Sequence, residues 1–307
     1  MALKRKKPFI VLLAFFIILT PFFIVFFQRP PALVVTDASF VALYGTGRLK
    51  QQTLVASLTM KRRVRPVLIA DGAGTDVLLL GIEGTSSRPH CVLFPSRYIE
   101  AAEQYREQFP HIPVIIMEGR NTRTSGTGTS NFLVCRTDRE TDSYRAGLCA
   151  GIIAGEEPQR IIVFQDRSAN ARERNAFIRG LREQGLETPP VFYNNASQLT
   201  DTKDLSCVVL LGSGAEILEK NLKVPVILCT WLDPDLTSNE IVLIFDDSPW
   251  TMAVPALGLV KIEQNEDFNG RIPSKPLVFS ARIADNHISQ NLKKAVEKPY
   301  EKTEERQ

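Results

Sequence analysis

Two periods of apolar spacing alternate along this chain. Short, nearly uninterrupted apolar runs read as buried strands: Ala32–Thr36, Val64–Ala70, His90–Pro95, Ile112–Met117, Phe132–Cys135, Arg160–Phe164, Val191–Tyr193, Leu205–Leu211, Val224–Thr230, Glu240–Phe245 and Pro276–Ser280. Between them lie segments of helical character. These are Ser39–Lys61 (interrupted at Gly45-Thr46-Gly47), Thr75–Glu83, Arg97–Gln108, Ala169–Gly185, Glu216–Leu222 and about Ser248–Lys261. Alternation of this kind predicts mainly parallel sheets covered by helices on both faces.

The stretch Phe132–Gly155 divides the series. It starts as a strand, breaks at Arg136-Thr137-Asp138-Arg139, and restarts as a helix with Ala146, Gly147, Ala150, Gly151 and Ala154 along one stripe. Glu140 and Asp142 suit the first turn, where carboxylates face the positive end of the helix dipole. The small residues let this helix lie close to its neighbour. We read the stretch as a crossover between two doubly wound α/β lobes joined by a hinge. Lobe 1 is expected to hold residues 32–134 plus about 240–290, and lobe 2 residues 135–239. The Ser/Thr/Gly segment Asn121–Asn131 carries no packing residues and reads as a loop.

One run breaks the pattern. Pro8–Phe27, PFIVLLAFFIILTPFFIVFF, has no charge and about the length that crosses a bilayer as a helix. Lys4–Lys7 precede it, which places the start on the cytoplasmic side and the rest of the chain outside. Gln28-Arg29-Pro30-Pro31 after it offers neither a small-x-small cleavage site nor a lipid-accepting cysteine, so residues 1–31 read as an uncleaved transmembrane signal anchor in the inner membrane.

Composition then changes the picture in three places. The net charge of +3 comes from that anchor: Lys4, Arg5, Lys6, Lys7 and Arg29 flank the run, and without them 32 basic residues face 34 acidic ones. This argues against a nucleic-acid footprint. The five cysteines, Cys91, Cys135, Cys149, Cys207 and Cys229, form no CxxC pair and sit in apolar runs. They read as free buried thiols, with Cys207 and Cys229 the one pair worth considering as a disulfide. Residues 293–307 are dense in charge and read as a disordered tail.

Several predicted strands end on polar residues: Asp37, Asp71, Ser96, Asp138, Asp166, Ser213, Trp231 to Asp233, and Asp246. Open α/β sheets bind ligands beyond the carboxyl ends of their strands. A small polar ligand in a cleft between the lobes would need an aromatic plate and fixed hydrogen-bonding groups. The candidate ligand-binding residues are Asp37, Phe40, Ser96, Asp138, Arg139, Asn170, Trp231, Asp233 and Asp246, with Tyr98, Trp250 and Asp166 as further polar or aromatic groups. Each has a plainer role open to it: Ser96 and Asn170 as helix caps, Phe40 as a core residue, Asp233-Pro234-Asp235 as a turn. No HExxH, G-x-S-x-G, phosphate-binding loop or metal-ligand cluster is present, and the three histidines, His90, His111 and His287, stand near no organised Ser/Asp pair. We therefore expect no enzyme activity, no cofactor and no metal.

Several short motifs resemble a known family. Val34-Val35-Thr36-Asp37, the turn and helix Gly72–Glu83, Tyr144-Arg145-Ala146-Gly147-Leu148-Cys149-Ala150-Gly151, Phe177–Gly185 and Val226–Asp235 resemble the type I periplasmic binding proteins, most closely the basic membrane protein, or purine nucleoside receptor, branch. The resemblance runs from about Leu33 to Lys261 and implies a nucleoside or sugar-like ligand, with an ABC permease as partner. At two places the chain departs from that branch: Ala38-Ser39-Phe40-Val41-Ala42 follows the first strand, and Ser248-Pro249-Trp250-Thr251 lacks the branch's lysine. The alternative is a binding-protein fold with a degenerate cleft, serving as a structural or signalling envelope protein.

Overall fold

The computed structural model describes residue 20 and residues 24–118, 132–155, 160–165, 171–200, 204–212, 215–219, 222–230, 240–259 and 269–301. The expected loop Asn121–Asn131 and most of the apolar run Pro8–Phe27 lie outside them. Among the described residues no helix is long and apolar enough to cross a membrane. The chain divides into two compact units. Unit 1 takes Met1–Met117, Ser125–Val134 and Ala253–Asn269; unit 2 takes Glu118–Thr124, Cys135–Met252 and Gly270–Gln307.

Strands and helices are numbered here in chain order. One sheet is built from β1 (Ala32–Asp37), β2 (Val64–Ile69), β3 (Cys91–Pro95), β4 (Val114–Glu118), β5 (Phe132–Thr137) and β11 (Asn269–Ile272), ordered β11-β5-β4-β3-β1-β2. Ala32 pairs with both Val64 and Cys91, and Val92 with Val114, all in parallel. β1 is buried along its whole length because helices cover both of its faces; the edge strand β2 alternates buried and exposed positions. The helices are α1 (Ala38–Tyr44), α2 (Thr46–Thr59), α3 (Thr75–Thr85) and α4 (Ile99–Gln108). Gly45, at φ +88°, separates α1 from α2 where the sequence shows its glycine interruption. Leu33, Val35, Phe94, Ile116, Leu78 and Tyr105 form the core between strands and helices.

The second sheet holds β6 (Arg160–Phe164), β7 (Val191–Tyr193), β8 (Leu205–Leu210), β9 (Val226–Leu228), β10 (Ile241–Asp246) and β12 (Lys275–Val278), ordered β12-β10-β9-β8-β6-β7. All of its described pairs are parallel except β12, which lies antiparallel on β10. Its helices are α5 (Arg139–Ala154), α6 (Ala171–Arg182) and α8 (Asn286–Ala295); α7 (Pro249–Leu259) follows β10 and passes from unit 2 into unit 1 at Ala253. One face packs Val163, Val209 and Phe245 under α5 and α6, and the other packs Ile162, Val208 and Ile244.

Three expectations need correction. The sequence places the strand at Ile241–Asp246 in lobe 1, but it lies in the second sheet between β9 and β12. Leu243 and Phe245 pack on one face and Ile244 on the other, so the run demands burial on both sides and does not name the sheet that supplies it. The helix expected over Glu216–Leu222 is a single 3-10 turn, Ala215–Glu219. Of the tail expected to be disordered from Lys293, residues Lys293–Glu301 are ordered. α8 is capped by Asp285, which accepts from the amides of His287 and Ile288, and its Leu292 and Ala295, with Val296 just beyond, are buried. The charges of Lys293, Lys294, Glu297 and Lys298 hide an apolar stripe. Beyond it, Tyr300 stacks on Tyr144 at 4.8 Å, and the carbonyls of Lys298 and Glu301 accept from Arg145 and Arg179.

The small-residue stripe of α5 has the role its spacing predicts. At Gly147 an added Cβ would stand 2.1 Å from the backbone oxygen of Phe177, and at Gly180 one would stand 2.2 Å from that of Tyr144. The two helices touch backbone to backbone, where no side chain can yield. Gly147→Ala should therefore destabilise the chain by about 3 kcal/mol or more, an overpacking cost. Gly84→Ala, in α3 with nothing near its Cβ, should be neutral or stabilising by about 0.5–1 kcal/mol. Urea denaturation of both variants checks this; equal midpoints would contradict the close contact.

Candidate functional site

In unit 1, three neighbouring parallel strands, β2, β1 and β3, deliver polar residues to one edge. β1 ends at Asp37, which is buried: one carboxylate oxygen accepts from the amide of Phe40 at 2.8 Å and so caps α1, and the other accepts from the Tyr98 hydroxyl at 2.8 Å and pairs with the Arg97 guanidinium. After β2 comes Asp71, which accepts from the amide of Ser39 at 3.0 Å, followed by Gly72-Ala73-Gly74. Gly72 takes φ +69°, a left-handed turn open to glycine at little cost. Gly74 is the N-cap of α3 and brings no side chain to the first amides of that helix. After β3, a 3-10 turn at Ser96–Tyr98 carries Arg97 and Tyr98, and the guanidinium lies 5.1 Å from the centre of the Tyr98 ring.

These groups line a cavity of about 480 Å³ that includes Asp37, Ser39, Asp71, Gly72, Gly74, Arg97, Tyr98 and Glu100. The volume suits a small ligand. The lining offers carboxylate acceptors at Asp37 and Asp71, guanidinium donors at Arg97 (half exposed at 50%), and one aromatic ring. Such a set can hydrogen-bond several hydroxyls of a polar solute at once.

Unit 2 presents its own polar edge. Asp138, after β5, is the N-cap of α5 and accepts from the amide and hydroxyl of Thr141. Arg139 pairs with Asp247 at 3.3 Å, and the Thr230 hydroxyl donates to the same carboxylate. Asp246, wholly buried at the end of β10, accepts from the amide of Ser248 at 3.0 Å and the hydroxyl of Thr251 at 2.7 Å, fastening the start of α7. Behind them Asp142 accepts from the amide and hydroxyl of Ser274, at 3.1 and 2.6 Å. Burial pushes the Asp142 carboxyl up to about 7, against the opposing pull of both Ser274 bonds; the nearby Asp247 adds to the rise and Arg139 lessens it.

The candidates from sequence are thus sorted. Asp37 lines the cavity of unit 1. Phe40 is half-buried on α1, and Ser96 opens the turn that carries Arg97 and Tyr98. Asp138 and Asp246 are buried caps, and Arg139 is ion-paired. Asn170, Trp231 and Asp233 lie outside the described residues, as does Asp166. Trp250 is fully buried, which removes it as a solvent-facing plate. Sequence reasoning passed over Arg97, Asp142, Asp247, Thr230 and Ser274. The Asp71-Gly-Ala-Gly turn was the legible signal for the cavity; Asp142 looked like a first-turn carboxylate, and only the fold brings Ser274 to it across 132 positions. The five cysteines are buried and form no disulfide with one another.

No protein-family profile and no curated protein sequence matches the chain. Solved structures do match its shape. A structure described as a transcriptional activator of the comK gene from Bacillus halodurans aligns with a TM-score of 0.56 at 13% identity, covering 87% of this chain and 96% of that one. A periplasmic ribose ABC transporter from Conexibacter woesei aligns with a TM-score of 0.51 at 12% identity, covering 81% and 91%. The chain has an α/β fold with parallel sheets resembling type I periplasmic binding proteins.

The raised Asp142 carboxyl makes stability depend on pH. Its folded value lies above its unfolded one, so the folded chain holds the proton more tightly; that stabilisation is complete below about pH 4 and is lost as pH rises through about 7. Asp142→Asn keeps an acceptor for the Ser274 amide and should flatten the decline between about pH 4 and 7. Urea midpoints measured across that window test this, and an unchanged slope would show that Asp142 is not the group responsible.

Proposed function

We propose that the chain is a membrane-anchored, extracytoplasmic solute-binding protein for a small polyhydroxylated ligand, a sugar or the sugar part of a nucleoside. Within the type I periplasmic-binding-protein fold we place it beside the basic membrane protein branch, on the strength of its short motifs. The observation that carries the reading is the unit 1 cavity, where Asp37, Asp71, Arg97 and Tyr98 converge at the carboxyl ends of three parallel strands. The ribose transporter structure that shares the fold supports the ligand class. An ABC permease and its ATPase are the partners this role calls for. Pro8–Phe27 is the anchor, with Lys4–Lys7 inside and the bulk of the chain outside. No catalytic role is proposed.

A second reading is favoured by one specific observation. Asp37 already accepts from Phe40 and Tyr98 and pairs with Arg97, a network complete without a ligand. On that reading the cavity is vestigial and the protein signals through an envelope partner; the structure from Bacillus halodurans is described as a transcriptional activator.

Thermal unfolding of the detergent-solubilised full chain against monosaccharides, nucleosides and amino acids separates the two. Solute binding predicts a rise in melting temperature with one class, since a ligand at about 100 times its Kd stabilises by about 2.7 kcal/mol. Tyr98→Ala should then weaken that ligand at least about tenfold, or about 1.4 kcal/mol. No rise with any class would favour the vestigial cavity. Topology is tested separately: protease added to intact spheroplasts should digest the chain beyond Arg29, and protection would reverse the proposed orientation.

A further inference from the structure

The amino ends of β1 and β2 carry a surface that the solute-binding role does not use. On α2 the exposed face runs through Lys50, Gln51, Leu54, Val55 and Leu58, and the last three are 61%, 44% and 62% exposed. Three large apolar side chains on one exposed helical face are costly in water. Just beyond α2 the chain reads Lys61-Arg62-Arg63-Val64-Arg65, with Lys61 and Arg65 exposed. Against this segment lies the end of the apolar run. Arg62 donates to the Pro30 carbonyl at 2.8 Å, Arg29 donates to the Lys61 carbonyl at 3.3 Å, and the Arg63 guanidinium sits 5.7 Å from the centre of the Phe27 ring. The exposed apolar helix face, the basic segment and the exit point of an uncharged twenty-residue run therefore share one end of unit 1.

We propose that this end of unit 1 is a lipid-docking face, in which Leu54, Val55 and Leu58 enter the interfacial region while Lys61 and Arg65 meet anionic headgroups. The pattern of apolar side chains rimmed by Lys and Arg is that of surfaces that lie on bilayers. A second copy adding to the sheet through β2 fits less well. Pro66 lies within that edge strand, where it offers no amide, and Arg65 is exposed beside it. Ala32, where β1 begins, is at the docking end, and Asp37 at its other end lines the cavity. Docking thus turns the cavity away from the bilayer. The inference deepens the anchored reading and rests on it, since the anchor is what delivers this face to the membrane; it is independent of the ligand.

The test uses the full chain in lipid vesicles. All five native cysteines are buried, so Leu58→Cys can be labelled selectively with an environment-sensitive fluorophore, and Asp76→Cys on α3 serves as the control at the cavity end. Vesicles carry a bilayer-embedded quencher, with or without about 30% anionic lipid. Docking predicts quenching at Leu58 in anionic vesicles at least about threefold above that at Asp76, lost on Lys61→Glu with Arg65→Glu or in about 0.5 M salt. Quenching at Leu58 no greater than at Asp76, or quenching indifferent to charge reversal and salt, overturns the docking face. The anchor has its own readout, flotation with vesicles in about 1 M salt, which screens surface charge. Flotation without Leu58 quenching removes the docking face alone; quenching in low salt without flotation in high salt removes the anchor alone.

Discussion

Burial of parallel strands on both faces is the constraint from which the rest follows. A strand such as Ala32–Asp37, enclosed along its whole length, is apolar from Ala32 to Val35 and carries polar side chains only at its last two positions, Thr36 and Asp37. Polar chemistry is thereby driven to the carboxyl ends, and in each unit it is concentrated there. The same residues that end the strands also start the helices. Asp37 caps α1, Asp138 caps α5 and Asp246 fastens α7, so stability and candidate recognition draw on one set of carboxylates.

This shared use explains why carboxylates at strand ends are weak evidence of a ligand when taken singly. Asp246 is fully enclosed by Ser248 and Thr251, and a buried acceptor left without such partners would cost more than the cap contributes. Asp37 differs because its partners Arg97 and Tyr98 themselves border open space, so the network continues into the cavity. That continuation and the neighbouring Asp71 turn are what set Asp37 apart. Asp142 shows the opposite arrangement, a carboxyl fixed by Ser274 deep in unit 2, where burial holds the proton on.

Most of the fold was legible in the sequence because strand burial and helical spacing are local signals. The runs VVT, HCVLF and IIVF announce buried strands, and the Ala/Gly stripe of α5 announces a close contact without naming the partner, which the fold shows to be α6. What was not legible depended on partners distant in sequence. The placement of β10 in the second sheet rests on β9 and β12, and the ordering of Lys293–Glu301 rests on Tyr144, Arg145 and Arg179. Of the candidate site, Asp37 was found through its position at a strand end. Arg97 was missed because an arginine after a strand has no signature of its own until Asp37 and Tyr98 stand beside it.

The central claim is that the carboxyl edge of β1, β2 and β3 is a working recognition surface. Amide hydrogen exchange, followed with and without a stabilising sugar or nucleoside, tests it most directly. The account predicts slowed exchange confined in unit 1 to residues 71–78 and 96–101, the turns that line the cavity. Exchange in those two turns that the ligand leaves unaltered, with protection appearing elsewhere in unit 1, would contradict it.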